Sequence, residues 1–217
     1  MKAVKSERFY TANNLPRIGI LLLASGSSVR MGEPKLLLPW EGKVLVEKAL
    51  SAGAAFPSLE KLMVYPPSLP ALKELGETYA WSIVENRDPS RGQASSLVEG
   101  LLCWEKLGIL EKLQGILCMV GDQPFVSPVV IEGLVASFDE YKVVIPKYGM
   151  KPGNPVLFGS RWFPELRELQ GDEGGRQVIR RIADEDKIYV PFPEFMGRDM
   201  DTLEDYKELL SFAMKNR

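Results

Sequence analysis

The fold is decided by the stretch IGILLLASGSSVRMGEPK, residues 18–35. Its first seven residues are almost entirely apolar, which is typical of a strand buried on both faces of a sheet. The loop that follows contains two glycines, three serines and the cations Arg30 and Lys35. Glycine lets a backbone approach a ligand, and exposed N–H groups in a turn bind anions. Open α/β sheets bind ligands at the carboxyl ends of their strands, so this loop predicts a cradle for a polyphosphate or nucleotide.

Neither of two familiar phosphate-binding loops fits this stretch. A P-loop has four residues between its first glycine and a Gly-Lys-Ser/Thr triplet, but here five residues separate Gly26 from Gly32, and a Glu-Pro pair precedes the lysine. The dinucleotide fingerprint G-x-G-x-x-G needs glycine where this chain has Ser28. An ordinary charged surface turn is the alternative, and the coincidence of strand, glycines and both cations favours the phosphate site.

The composition argues against several classes of protein. A net charge of −2 provides no broad basic field for nucleic acid or for an anionic membrane. No apolar run is long enough to span a bilayer. Residues 1–16 are polar and mixed, so we expect a tail without a signal peptide's apolar core, followed by a single domain over residues 17–217. Cys103 and Cys118 lie in apolar segments, which is typical of core residues in a reducing cytoplasm.

The chain contains no histidine. This excludes Ser-His and Cys-His nucleophilic mechanisms and metal sites built on imidazole. Any bound metal must therefore be held by carboxylates and phosphates. Such ligands favour Mg²⁺ or Mn²⁺ over structural zinc.

Strand and helix patterns alternate along the rest of the chain. Short apolar runs predict strands at 59–65, 81–84, 116–120, 143–146, 155–158 and 188–190. Helical spacings of apolar residues predict helices at 44–56, 69–79, 94–102, 129–138, 162–169, 177–183 and 203–213. The alternation predicts an α/β fold of three layers, α/β/α and Rossmann-like, with a mostly parallel sheet.

One carboxylate directly follows the strand predicted at 116–120. A sheet fixes the backbone at this point, so Asp122 is placed to hold a metal ion. The alternative is a cap for the helix that begins near Ser127. Ser127, with Pro128 at the first helical position, already predicts that cap, which favours the metal role for Asp122.

A second pair of carboxylates, Asp199 and Asp201, precedes the last predicted helix. Residues at i and i+2 share a face of an extended chain, so one of the pair can meet the same metal as Asp122 while the other caps the helix. Thr202 with Asp205 has the pattern of a capping box. Which of Asp199 and Asp201 binds the metal stays open.

Three of these motifs resemble the molybdenum cofactor nucleotidylyltransferases, and most closely the cytidylyltransferase branch. LASGSSVRMG at 23–32, followed by KLLLP at 35–39, is similar to the nucleotide-binding signature of the family. GDQP at 121–124 resembles its metal-binding motif, and DMDTLEDY at 199–206 its closing Asp-x-Asp-Thr-x-Glu-Asp-Tyr element. The resemblance implies the nucleotidyltransferase fold, with Asp122, Asp199 and Asp201 as ligands of Mg²⁺ or Mn²⁺.

Further segments extend the resemblance over nearly the whole domain. RGQASSL at 91–97 is similar to a Gly-x-x-Ser-Ser-Leu turn, or is merely a helix start. GDEGGR at 171–176 resembles a Gly-Asp-x-Gly-Ala-Arg loop, or is a glycine-rich turn. GNPVLF at 153–158 has Asn154 where the family usually has histidine, so a charged group is absent there.

The resemblance and the charged loop together assign roles to individual residues. The nucleotide-binding residues are Leu23, Ala24, Ser25, Gly26, Ser27, Arg30, Lys35, Ser95 and Ser96. The acceptor-binding residues are Gly153, Asn154, Gly171, Asp172, Gly174 and Arg176. The catalytic residues are Arg30, Lys35 and Asp122, which position the reactants and neutralise charge without a protein nucleophile.

The expected reaction joins CMP from CTP to the terminal phosphate of molybdopterin and releases pyrophosphate. Guanylyl transfer is the nearest alternative, because Ser25 matches neither the Leu-Ala-Gly-Gly of that branch nor the Leu-Ala-Ala-Gly of the cytidylyl branch. Ser25 fills space as alanine does, which favours a pyrimidine. A sugar-phosphate or polyol-phosphate nucleotidyltransferase is a third possibility. A non-catalytic chaperone that delivers molybdopterin to a client molybdoenzyme belongs to another class, and the carboxylates argue against it.

Overall fold

The structure, a computed structural model, describes residues 16–26 and 33–215. In this part of the chain the strands are β1 (Ile18–Leu23), β2 (Pro39–Trp40), β3 (Lys43–Val44), β4 (Glu60–Tyr65), β5 (Ser82–Glu85), β6 (Gly115–Val120), β7 (Val143–Tyr148), β8 (Lys151–Pro152), β9 (Val156–Gly159) and β10 (Lys187–Phe192). The helices are α1 (Val46–Ala54), α2 (Pro70–Thr78), α3 (Gln93–Lys106), α4 (Pro128–Ala136), α5 (Phe163–Arg167), α6 (Arg176–Arg181) and α7 (Leu203–Lys215).

The main sheet has the strand order β10-β7-β9-β6-β1-β4-β5, with β8 paired to β7. Strand β1 lies between β4 and β6 and is parallel to both. Strand β9 is antiparallel to its neighbours β6 and β7. The predicted mostly parallel α/β sheet is confirmed, and the carboxyl ends of β1, β4, β5 and β6 meet at one edge.

Helices cover the sheet on both faces, which confirms the three-layer arrangement. Ile20 and Leu22 belong to one core cluster, with residues of α1, α2, α4 and α7. Leu21 belongs to the other, with residues of α3, α5 and α6. The alternation follows from the two-residue period of a strand, and both faces are apolar because both are covered. Gly19 lets α3 pack closely against β1, because a Cβ at this position would lie only 2.7 Å from Cη2 of Trp104.

The chain departs from the predicted elements at a short hairpin. Strands β2 and β3 pair antiparallel around Glu41 and Gly42, which both have positive φ. Two such residues make the tight turn that matches the twist of a hairpin. The helix predicted from residue 44 therefore begins at Val46. Strand β8 is a further short element that the sequence patterns did not predict.

Ser127 is the N-cap residue of α4, with Pro128 at the first helical position as predicted, but its side chain does not cap the helix. Helix α4 has no hydrogen bond from a capping side chain, and the buried Ser127 Oγ has no hydrogen-bond partner among the described residues. The Val130 N–H group donates instead to the Ser127 carbonyl oxygen at 3.0 Å. The predicted box at Thr202 and Asp205 is confirmed, because the Thr202 N–H donates to Asp205 Oδ2 at 2.7 Å and the Asp205 N–H to Thr202 Oγ1 at 3.1 Å.

Two further expectations concern the extent of the domain and the membrane. The division into a tail of residues 1–16 and a domain of residues 17–217 stays a prediction, because 1–15 and 216–217 lie outside the described residues. In the described part of the chain, no helix has both the length and the apolar character that crossing a membrane requires.

Candidate active site

Two recesses meet at the carboxyl edge of the parallel strands. The wide cleft, of about 960 Å³, is lined by parts of segments 23–26, 33–36, 66–69, 89–96 and 120–122 and by Asp172. The narrow pocket, of about 230 Å³, is lined by parts of segments 118–120, 152–158 and 173–180 and by several apolar residues of β1, α3 and β7. Leu23, Gln93 and Val120 line both, so the two recesses adjoin.

Lys35 joins the chain segments around the wide cleft. Its Nζ donates to Asp122 Oδ2 at 2.5 Å and to Asp201 Oδ1 at 3.3 Å. It also donates to the Met200 carbonyl oxygen at 3.1 Å. The Met200 N–H in turn donates to the Asp122 carbonyl oxygen at 3.1 Å. Residues 35, 122 and 199–201, far apart in the sequence, are thereby held together.

The charges of this cluster shift the pKa values of two side chains. Burial alone would lower the pKa of Lys35, but attraction to Asp122 and Asp201 outweighs it and raises this pKa above the ordinary value. Lys35 is therefore protonated at neutral pH. The pKa of Asp199 is also raised, chiefly because its carboxyl group loses water, with a further contribution from the charges of Asp122 and Asp201.

The donor set of the cluster fits a hard divalent cation. Asp122 and Asp201 present carboxylate oxygens beside Lys35, and Asp199 is close enough for their charges to affect its pKa. Mg²⁺ and Mn²⁺ accept such oxygens as ligands. Within residues 16–26 and 33–215, no three His, Cys, Asp or Glu side chains are arranged to hold a metal ion on their own. Mg²⁺ is commonly bound by one or two carboxylates together with substrate phosphates, and the carboxylates here suit that mode.

The loop after β1 contributes a hydroxyl and a backbone to the wide cleft. Leu23, Ser25 and Gly26 line it. Ala24 is fully buried, and its N–H donates to the Val64 carbonyl oxygen at 2.8 Å, so it holds the loop to β4 instead of facing the cleft. Ser27 and Arg30, both predicted to bind nucleotide, lie outside the described residues.

The two predicted serines of α3 differ in their surroundings. Ser96 lines the wide cleft, and its Oγ lies 2.5 Å from Ser25 Oγ. Ser95 lines neither recess, and its Oγ donates to the Gly92 carbonyl oxygen at 2.7 Å. Ser95 thus supports the turn before α3, while Ser96 reaches the cleft.

The predicted acceptor residues divide between the two recesses. Gly153, Asn154 and Arg176 line the narrow pocket. Asp172 lines the wide cleft instead. Asp172 reaches the wide cleft because its loop packs against the start of α3. The Ala94 N–H donates there to the Gly171 carbonyl oxygen at 3.0 Å. Gly92, with φ +87°, permits that approach, because a Cβ there would collide with the Gly171 carbonyl group and the Asp172 side chain.

The predicted glycines 171 and 174 line neither recess. Gly171 and Gly174 both have positive φ and shape the loop. The floor of the narrow pocket includes Leu97, Phe158 and Cys118. Burial raises the pKa of the Cys118 thiol to about 12, so this floor carries no charge at neutral pH.

Sequence reasoning missed several residues around the site. Glu173 and Arg180 line the narrow pocket and form an ion pair across 2.6 Å. Gln93 lines both recesses, and Asn86 supports the two serines of α3 through hydrogen bonds. Asn86 is the second residue after the strand predicted at 81–84, and a polar residue so close to the carboxyl end of a strand is a signal that could have identified it.

The fold and the family match together identify a nucleotidyltransferase. Residues 20–187 match the family described as the MobA-like NTP transferase domain. The chain belongs to this family.

Two proteins with different names are similar in sequence to this chain. The purine catabolism protein PucB of Bacillus subtilis (strain 168) is 31% identical over 170 residues, which cover 75% of this chain and 80% of PucB. The nicotine blue oxidoreductase of Paenarthrobacter nicotinovorans is 27% identical over 206 residues, which cover 91% of this chain and 98% of that protein.

Solved structures share the fold. The crystal structure of the Rv0371c homologue from Mycobacterium sp. strain JC1 is 25% identical, with a TM-score of 0.79, and the match covers 93% of this chain and 98% of that one. The manganese complex of Rv0371c from Mycobacterium tuberculosis H37Rv is 24% identical, with a TM-score of 0.70, covering 90% and 98%.

Proposed function

We propose that the protein transfers CMP from CTP to the terminal phosphate of a molybdopterin-type acceptor and releases pyrophosphate. The observation that carries this proposal is the contact of Lys35 with Asp122 and Asp201 beside the junction of two recesses. The wide cleft has the charged groups that a triphosphate needs. The narrow pocket adjoins this cleft, so an acceptor bound there would lie next to the triphosphate.

The chemistry needs no protein nucleophile and no histidine. The terminal phosphate of the acceptor is already an anion, so it can attack the α-phosphate without a general base. The work left to the protein is positioning and neutralisation of charge. Protonated Lys35, and Arg30 on the evidence of the sequence, would provide positive charge where the pyrophosphate leaves.

A divalent metal, Mg²⁺ or Mn²⁺, would be held by Asp122 and by one or both of Asp199 and Asp201. When bound, it supplies further neutralisation of the negative charge on the triphosphate. The manganese complex of Rv0371c supports this choice of ion. Lys35 contacts Asp122 and Asp201, so the lysine orients the same carboxylates that would bind the metal.

The acceptor would occupy the narrow pocket. An uncharged floor that includes Leu97 and Phe158 suits a flat heterocycle, while Arg176 at the same pocket suits its phosphate. Asn154 can donate and accept hydrogen bonds but adds no charge. These features support a ring-bearing phosphate over a sugar phosphate.

The choice of CTP rests on position 25. A Cβ there narrows the space beside the base, which favours a pyrimidine over guanine. The names of PucB and the nicotine blue oxidoreductase specify no nucleotide, so guanylyl transfer is the alternative that a direct comparison of triphosphates must exclude.

Pyrophosphate release with CTP, GTP, UTP and ATP tests the proposal, each with Mg²⁺ or Mn²⁺ and with molybdopterin or, in its place, a sugar phosphate or polyol phosphate. We expect the fastest release with CTP, and a cytosine dinucleotide product by mass spectrometry. Fastest release with GTP would assign guanylyl transfer. Release only with sugar or polyol phosphates would assign another acceptor. Molybdopterin binding without release by the wild type would assign a chaperone.

A further inference from the structure

Asn86 occupies a buried position behind the wide cleft. It is the first residue after β5, and only 1% of its surface is exposed. Its N–H group donates to the Tyr65 carbonyl oxygen at 2.8 Å, which ties it to the end of β4. A buried amide must find partners for its polar atoms, and the direction in which it donates therefore organises its neighbours.

The hydrogen bonds of Asn86 determine which way its amide faces. Oδ1 accepts from the Asp88 N–H at 3.0 Å, and an N–H group can only donate. Nδ2 therefore faces α3, where it donates to Ser95 Oγ at 2.9 Å and to Ser96 Oγ at 3.1 Å. Both hydrogens of the amide are used, and both serines act as acceptors from Asn86.

Of the three hydroxyl hydrogens of Ser25, Ser95 and Ser96, one is not used in a hydrogen bond among the described residues. Ser95 donates its own hydrogen to the Gly92 carbonyl oxygen. Ser25 and Ser96 share one hydrogen bond of 2.5 Å, in which either hydroxyl can donate. Whichever donates, the hydroxyl hydrogen of the other has no acceptor within segments 16–26 and 33–215. Ser25 and Ser96 are 4% and 3% exposed, and both line the wide cleft.

We propose that Asn86 is a positioning residue, which orients the Ser25–Ser96 pair so that one hydroxyl hydrogen is offered to the cleft as a donor to the nucleotide base. The matching group is an acceptor such as the O2 carbonyl of a pyrimidine. This inference rests on the proposed nucleotide site. Cytosine and uracil both carry O2, so the donor anchors the base without separating CTP from UTP.

The variant Asn86→Asp reverses the polarity of this chain of hydrogen bonds at nearly constant shape. A carboxylate cannot donate, so Ser96 would turn its hydrogen towards residue 86, and Ser25 would then donate to Ser96. No hydroxyl hydrogen is left for the base. We expect the dissociation constants of CTP and UTP, from calorimetric titration without acceptor, to rise about ten- to hundred-fold. The kcat at saturating CTP should change by less than about three-fold.

Adding Ser96→Ala to Asn86→Asp gives the sharper test. Without Ser96, the hydroxyl of Ser25 is free again to donate to the base, so the double variant should bind CTP more tightly than Asn86→Asp alone. A structural defect at residue 86 would not be relieved by removing a second buried hydrogen-bonding group. Equal or weaker binding by the double variant would overturn the role of Asn86.

Alanine variants of the serines test the donor even if Asn86→Asp does not fold. Ser25→Ala or Ser96→Ala alone leaves one hydroxyl that can donate, so the dissociation constant should rise by less than about three-fold. Ser25→Ala with Ser96→Ala leaves none, and we expect about ten- to hundred-fold weaker binding. Ser137→Ala, which removes a hydroxyl bonded to the Gly133 carbonyl oxygen of α4, is the matched control and should bind as the wild type does.

The remaining outcomes separate the proposals. A wild type that binds no nucleoside triphosphate overturns the proposed function and this inference together. Wild-type binding with an unaffected serine double variant overturns only the inference. A change in the ratio of CTP to dCTP affinity in that double variant would show that the donor meets the ribose 2′-hydroxyl, and would overturn the assignment to the base.

Discussion

The wide cleft and the narrow pocket share a wall but are lined by different kinds of side chain. In the cleft, Lys35 pairs with Asp122, and it also contacts Asp201, which lines neither recess. In the pocket, apolar side chains of the core, such as Leu97 and Phe158, form a floor on which a ring can lie. We therefore expect charge to determine what binds in the cleft, and shape together with Arg176 to determine what binds in the pocket.

This contrast predicts where substitutions act. Changes in the charged cluster should lower kcat, because its groups meet charge that develops during the reaction. Changes in the pocket should raise the KM of the acceptor and leave the use of the triphosphate unchanged.

The largest effect is expected for Asp122→Asn. Loss of the carboxylate charge removes the proposed metal ligand, which follows β6, so kcat should fall about a thousand-fold or more. Steady-state pyrophosphate release in Mg²⁺ and in Mn²⁺ measures it. Asp184→Asn, which changes an exposed carboxylate that pairs with Lys187, is the control. Near-normal turnover of a folded Asp122→Asn protein would exclude the metal role.

Lys35→Ala should lower kcat about a hundred-fold, because a protonated ammonium no longer meets the departing pyrophosphate. The same assay with saturating CTP measures this effect. Lys61→Ala is a matched control, since Lys61 is a partly buried lysine that donates to the carbonyl oxygens of Phe56 and Leu59. If only the KM of the acceptor changes, Lys35 acts on the acceptor in the narrow pocket and not on the triphosphate in the wide cleft.

Arg176→Ala should raise the KM of the acceptor about ten-fold, since a charged hydrogen bond to its phosphate is lost. The KM of CTP should stay the same, which initial rates at varied concentrations of each substrate will establish. Arg167→Ala, which breaks a surface ion pair with Glu105, is the control. An equal rise in both KM values would contradict the division between cleft and pocket.

The smallest effect is expected for Ser25→Gly. Removal of the Cβ makes room for the second ring of guanine, so the ratio of kcat/KM for CTP to that for GTP should fall about five-fold. Ser25→Ala keeps the Cβ and should keep the preference, which separates volume from the hydroxyl. A wild type that already prefers GTP would refute the cytidylyl assignment and leave nucleotidyl transfer intact.

Local patterns were sufficient for most of the secondary structure. The apolar run at 18–23, the helical spacing at 94–102 and the capping box at Thr202 and Asp205 are each specified by neighbours in the sequence, and each is present. The hairpin at residues 39–44 was missed because Glu41 is not a residue that ordinarily signals a positive φ. Ser127 occupies the predicted N-cap position, but the Val130 N–H donates to the backbone carbonyl oxygen of Ser127 and not to its side chain.

The amino-acid sequence alone determined the α/β class, the absence of histidine chemistry and the identity of the charged groups, since these depend on composition and on periods of two and about four residues. Only the tertiary structure decided which groups meet. Lys35 is 87 positions from Asp122 and 166 from Asp201. Asn86 acquires its role from Ser95 and Ser96 on a different element. Such contacts depend on how parallel strands bring their carboxyl ends to one edge, and no local pattern encodes that distance or direction.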